Sequence, residues 1–211
     1  LPIGVVVENS ADAWPLAGPA KADLVFEEPV EGSITSYLLF FDASTTAAEI
    51  GPVRSARPYF VDWTEGLGAM YAHVGGSPAA LNLIAGKKTF RDLNEYWNGW
   101  AFWRAAMRAA PHNVFTRTEL LLQAAGKKAY VPGDFRAWYY RDAPTSTSAI
   151  SVTSTITVPY EGIYRASWNY DSKNNDYIRY RNGKPLTDAD GSTVRAKNVI
   201  LIQTDATVLD D

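Results

Sequence analysis

The sequence predicts an α/β N-terminal region, a mixed sheet with flanking helices, followed by a β-rich region. Three observations carry this prediction. Strand-like and helix-like segments alternate through residues 1–143, with Ser or Thr ahead of the helical stretches and Gly after them. The composition shifts at Pro144, where Thr145 to Ser148 forms a short Ser/Thr stretch. Beyond it Ile150, Val152, Ile156 and Val158 fall at even spacing, the period of a strand with one buried face. These signals assign 1–143 to an α/β N-terminal domain and 149–211 to a β-rich second domain, which the chain is expected to leave incomplete.

Taken in order, Ile3 to Glu8 is a β-branched run closed by Asn9-Ser10 and followed by a polar, Pro-containing loop to Asp23. Leu24 to Val30 and Ile34 to Asp42 read as strands joined by a tight hairpin at Glu31-Gly32-Ser33. After a loop over Ser44 to Glu49, Ser55 is read as the N-cap of a helix with Pro58 in its first turn and Gly66 and Gly68 closing it. Ala69 to Val74 reads as a buried strand. Ser77 and Pro78 then take the N-cap and first position of a helix ending at Gly86. Thr116 to Glu119 is a capping-box pattern before Leu120-Leu121-Leu122, with Gly126 as the stop. In the second region Tyr164 to Tyr170 and Tyr177 to Asn182 form a predicted hairpin, Asp188 to Gly191 a turn, and Asn198 to Thr204 a final strand.

The composition narrows the function classes. The 211 residues are 46% hydrophobic and include Trp 7, Tyr 12 and Phe 8, too apolar and aromatic for intrinsic disorder. Zero cysteine excludes a disulfide framework, a thiolate metal site and a cysteine nucleophile. A net charge of −3 lacks the basic footprint of nucleic-acid binding, so no nucleic-acid partner is expected. No apolar run approaches the roughly 18–20 residues that cross a bilayer. Neither a metal nor a cofactor is expected, because the histidines and carboxylates show no recognised ligand spacing.

Chemistry concentrates at a few polar residues. Arg54 and Arg57 flank the predicted cap Ser55 at a spacing of three. Helix N-termini disfavour cations, so a negative group is expected beside them, either a structural carboxylate or a bound anion. Glu27 and Glu31 fall on one face of their strand, roughly 13 Å apart at about 3.3 Å per residue, too far for a glycosidase acid/base pair. Each is expected to pair with a different arginine. The two histidines are His73, at a strand end before Gly75-Gly76-Ser77, and His112, in Arg108-Ala109-Ala110-Pro111-His112-Asn113. Each admits a structural role or a role as ligand or base, and Ser77 is accounted for by capping. The cluster Tyr96-Trp97-Asn98-Gly99-Trp100-Ala101-Phe102-Trp103 is read as mostly core, any exposed part being suited to stacking on sugar rings or docking a partner.

The ordered strings Val7-Glu8-Asn9-Ser10, Ala22 to Glu27, Pro29 to Thr35, Gly51 to Tyr59, His73 to Pro78 and Ala110 to Asn113 resemble the YerB family of bacterial lipoproteins across about residues 3–125. Tyr164 to Tyr170, Tyr177 to Tyr180 and Asn198-Val199 resemble the start of that family's second domain. The resemblance implies an extracytoplasmic, cell-envelope protein, tethered to the membrane only by a lipid on a cysteine upstream of Leu1, and it supplies no reaction. Ser33 and Ser36 stand where the family pattern has glycine and arginine. Glu27, Glu31, Arg54, Arg57, His73, Ser77, Arg108, His112 and Asn113 lie in or beside these motifs and are the candidate ligand-binding residues, expected to share one pocket. The leading expectation is a site for an anionic or polar ligand, a cell-wall glycan or peptide. The alternatives are a hydrolase with His73 or His112 as general base, and a structural or protein-interaction module.

Overall fold

A computed structural model describes residues 2–133, 154–205 and 207. Ile3–Glu8 (β1) is buried along its whole length, as its unbroken apolar run requires of a strand covered on both faces. It pairs antiparallel with Thr35–Phe41 (β3), which in turn pairs antiparallel with Leu24–Pro29 (β2), the half-exposed edge. The β2–β3 connection is a single turn over Glu31–Ser33 with Gly32 at φ 70, the left-handed conformation that glycine adopts without penalty.

Pro58–Gly66 (α1) then leads to Met70–His73 (β4), which lies parallel to β1 on its other side. Pro78–Gly86 (α2) carries the chain to Asp92–Asn94 (β5), parallel to β4. The first sheet therefore has the order β2-β3-β1-β4-β5. One face packs Val6, Leu38, Phe40 and Tyr71 under Phe60 and Val61 of α1 and Ala80 of α2. The other packs Val5, Val7, Leu39, Phe41 and Ala72 under Ile50, Val53, Val114 and Leu121.

Glu95–Asn98 (α3) follows β5 directly. Trp103–Arg104 (β6) and Val114–Phe115 (β7) form a two-stranded ribbon, and Thr118–Lys127 (α4) closes the N-terminal region. The second region is an antiparallel sheet of Thr155–Val158 (β8), Ala166–Asp171 (β9), Asp176–Arg181 (β10) and Lys184–Pro185 (β11). Arg195–Ala196 (β12) is added beside β10. The mixed α/β sheet with flanking helices and the following β-rich region are thus as the sequence predicts. The linker at 144–148 and the Ile150 and Val152 positions lie outside the described residues.

Three local readings are corrected. Ser55 is not a helix cap: residues 54–56 are extended, Ala56 bridges Gly76, and Arg57 takes the cap position with Pro58 at the first turn. The reason is tertiary, since the backbone of Arg54 to Ala56 finds partners on Val6, Val74 and Gly75. Thr116 likewise bridges Ile50, and its hydroxyl donates to the Ala101 carbonyl at 2.8 Å, so α4 starts after Arg117 without a capping box. Asn198 to Thr204 forms no strand, and Ile200, Leu201 and Ile202 are exposed without pairing to any described strand.

Candidate functional site

The parallel strands β1, β4 and β5 place their carboxyl ends, Glu8, His73 and Asn94, along one edge of the sheet, where open α/β sheets bind ligands. A strap over residues 50–56 crosses this edge, bridging Thr116, Ala17, Val7 and Gly76 in turn. Gly51 lets it pass: a Cβ there would lie 2.7 Å from the Phe115 ring and 2.9 Å from the Val114 carbonyl. The Arg54 amide donates to the Val6 carbonyl at 3.0 Å, and the Arg54 carbonyl accepts from Val74 at 2.9 Å. Arg54 is thereby pinned between the ends of β1 and β4.

The side chains meet at Glu8. Its carboxylate, 10% exposed, accepts from Ser10 Oγ at 2.7 Å and from His112 Nδ1 at 2.9 Å, and lies 3.2 Å from Arg54 Nε. Because the carboxylate accepts, Nδ1 of His112 carries the proton of that hydrogen bond. His112 Nε2 and the two terminal nitrogens of Arg54 make no hydrogen bond to another described residue. A nearly buried carboxylate thus orients two donor-bearing side chains, both partly exposed.

The other predicted residues are held elsewhere. His73 is fully buried, with Nδ1 2.6 Å from the Gly75 carbonyl and Nε2 2.7 Å from Asp92 Oδ1. It stacks on Tyr71, and both of its nitrogens are occupied. Arg57 forms a bidentate pair with Glu31 at 2.8 and 2.7 Å, and its guanidinium holds the Glu31 carboxyl below the usual range. Glu27 pairs with Arg179 at 2.6 Å and accepts from Thr35 Oγ1 at 3.0 Å. Ser77 accepts from the Ala80 amide as the cap of α2. Arg108 donates to the carbonyls of Ala13 and Pro15 at 2.7 and 2.6 Å. Asn113 accepts from Arg104, which also reaches Glu95.

Side-chain hydrogen bonds and ion pairs do not draw the nine residues into one pocket. Arg54 and His112 come together at Glu8, Arg57 and Glu31 pair with each other, and the remaining five are committed to partners outside the set. A surface concavity of about 530 Å³ between β8, β9 and the Asn182-Gly183 turn contains none of them. Among the described residues no group of three or more His, Cys, Asp or Glu is arranged to hold a metal ion.

The reading from sequence missed Glu8, Asp92 and Arg179. Glu8 did carry a signal, as the one charged residue in β1 and a member of the Val7 to Ser10 string. Arg179 lies in the Tyr177 to Tyr180 string, but nothing in its neighbours marks it as buried, since in sequence it is one more charge in a polar hairpin. Its guanidinium is nonetheless 1% exposed.

Residues 1–131 match the family described as "Protein of unknown function (DUF3048) N-terminal domain", and residues 156–211 match its C-terminal domain. The chain is 32% identical over 219 residues to "Putative lipoprotein YerB" of Bacillus subtilis (strain 168), an alignment covering 99% of this chain and 64% of that protein. The crystal structure of YerB protein from Bacillus subtilis superposes with a TM-score of 0.76 at 32% identity, covering 92% of this chain and 66% of that one. The chain therefore spans just under two thirds of the length of these relatives.

Proposed function

The chain belongs to the DUF3048 family, and from that membership we propose an extracytoplasmic, envelope-associated protein, lipid-anchored in its intact form, that binds an anionic group at Glu8, Arg54 and His112. The observation supporting the site is that Glu8 orients both Arg54 and His112 yet leaves Arg54 Nη1 and Nη2 and His112 Nε2 without a partner among the described residues. The Arg54 guanidinium, joined by Nε2–H of His112 when that ring is an imidazolium, suits a carboxylate or phosphate, which takes parallel N–H bonds from an arginine fork. The position beyond the carboxyl ends of the parallel strands supports the same reading. The lipid anchor is carried over from the Bacillus subtilis lipoprotein that this chain resembles.

Nuclear magnetic resonance of the His112 imidazole, during titration with inorganic phosphate and with the peptide acetyl-D-alanyl-D-alanine, tests this. At least one ligand should shift the His112 signals, and Arg54→Ala should weaken that ligand by about tenfold or more, the scale of one lost charge-assisted contact. His112 signals that ignore both ligands would remove the basis of the reading.

A second reading has one observation in its favour. A carboxylate at Nδ1 with Nε2 open is how a general base is presented, and among the described residues Nε2 of His112 has no partner, so the hydrolase alternative rests on His112, while both nitrogens of His73 are occupied. Ser10 is not placed as its nucleophile, because its hydroxyl donates to Glu8. Turnover of p-nitrophenyl acetate that is lost in His112→Gln would favour this alternative.

A further inference from the structure

We propose that the ligand is a saccharide chain, and that Tyr96 and Trp97 form the platform on which one of its rings stacks. The inference rests on the Glu8–Arg54–His112 reading only for the place of an acidic substituent. Part of the aromatic cluster is core, with Phe102 buried and Trp103 stacked on Phe115. Tyr96 and Trp97, however, are 75% and 76% exposed, and Trp100 is 43% exposed. Large rings left in water side by side are a marker of binding rather than of folding.

Their backbone is rigidly held. Asn94 Oδ1 accepts from the Tyr96 amide and from the Gly75 amide, and Asn98 Nδ2 donates back to the Asn94 carbonyl at 2.8 Å. α3 is therefore tied to the loop after β4, and the rings are presented on a fixed frame. That spares a ligand the cost of ordering them. The two rings stand 4.6 Å apart at 82°, one the floor and the other the wall of a corner. Trp100 is less available, because Lys127 Nζ lies 3.6 Å over its ring.

What surrounds the corner selects among occupants. Glu95, next to Tyr96, pairs with Arg104 at 3.3 Å, and Arg104 donates to Asn113, the neighbour of His112. Glu95, Arg104 and Asn113 thus link the segment that carries the aromatic corner to the segment that carries His112. An apolar protein surface or a bilayer would have to strip water from these groups without replacing its hydrogen bonds. A bilayer would also draw on a surplus of cations, whereas Arg104 is neutralised by Glu95. A pyranose matches both halves: its C–H face stacks on a ring while its hydroxyls exchange hydrogen bonds with Glu95, Arg104 and Asn113.

The test is tryptophan fluorescence titration with two probes, the neutral tetramer of β-1,4-linked N-acetylglucosamine and a tetrasaccharide alternating N-acetylglucosamine with N-acetylmuramic acid, which carries carboxylates. Both should bind, and Trp97→Ala and Tyr96→Ala, checked for folding by circular dichroism, should each weaken both by about fivefold or more, the scale of one lost stacking face. Arg54→Ala should weaken only the acidic probe. Failure of both probes to bind, or binding indifferent to Trp97 and Tyr96, overturns the proposal. So does Trp97-dependent sedimentation with phosphatidylglycerol vesicles in place of sugar binding. The two readings separate cleanly. Loss with Trp97→Ala but not Arg54→Ala keeps the platform and removes the anion site; a phosphate response at His112 without saccharide binding does the reverse.

Discussion

Arg195 holds two aspartates at once, Asp176 through contacts of 3.0 and 2.7 Å and Asp171 through its terminal nitrogen. The Asn174 amide and the Arg195 guanidinium pull the Asp171 carboxyl down from 3.8 to about 2. A carboxyl whose value is lower folded than unfolded contributes stability above its unfolded value, and that contribution drains away as the pH falls through the folded one. The second region should therefore weaken between pH 3.8 and about 2. Asp171→Asn should flatten the dependence of denaturant midpoint on pH in that window. An unchanged slope would show the contact to be inert. At the same scale the two histidines part company: acceptors occupy both nitrogens of His73, whereas among the described residues only one nitrogen of His112 has a partner. The flanking sequence supplies the Gly75 carbonyl to His73, but the carboxylates, Asp92 and Glu8, sit on other strands.

At the scale of the element, helix starts show what a local pattern can and cannot report. Ser77 caps α2 by accepting from Ala80, with Pro78 at the first position, as the sequence predicts. Ser77→Ala should cost about 0.5–2 kcal/mol in chemical denaturation, and Ser77→Asp should retain most of the stability, since either side chain can accept the orphan amide. Ser55 and Thr116 present equally good cap chemistry and are used otherwise, because both lie where the chain pairs with another segment first: Ala56 with Gly76, and Thr116 with Ile50. A cap satisfies one amide, whereas a bridge satisfies backbone groups on two segments. The aromatic cluster splits for a similar reason. Phe102 is buried beside the ribbon and Trp103, within β6, stacks on Phe115, while Tyr96 and Trp97 sit on a one-turn helix and stay exposed.

At the scale of the whole molecule, a set of polar contacts seats the second region on the first, beside the edge-to-face pair of Trp14 and Tyr164. Asp188 accepts from the amides of Gly18 and Ala20 at 3.0 and 2.9 Å, against a burial that pushes its carboxyl up. Arg181 lies 3.3 Å over the Trp14 ring and donates to Asn9, and Tyr160 donates to the Glu27 carbonyl. At the centre Arg179 meets Glu27. Removing one partner of a buried pair strands the other charge, so Arg179→Met should destabilise the protein by about 3–5 kcal/mol. The double variant Glu27→Gln with Arg179→Met should recover part of that loss. A denaturation series in which the two changes simply add would show that the pair is not coupled.

Strand and helix periods, the β2–β3 hairpin, the cap of α2 and the change to β-rich structure were all determined by the sequence alone. Each depends on backbone geometry over a handful of neighbouring residues. The partners of the charged side chains were decided only by tertiary structure. Arg57 meets Glu31 across 26 positions, His112 meets Glu8 across 104, and Arg179 meets Glu27 across 152. A single chain records which charges exist, but a buried charge is stabilised by whichever opposite group the fold carries to within 3 Å of it, and that distance is set by packing.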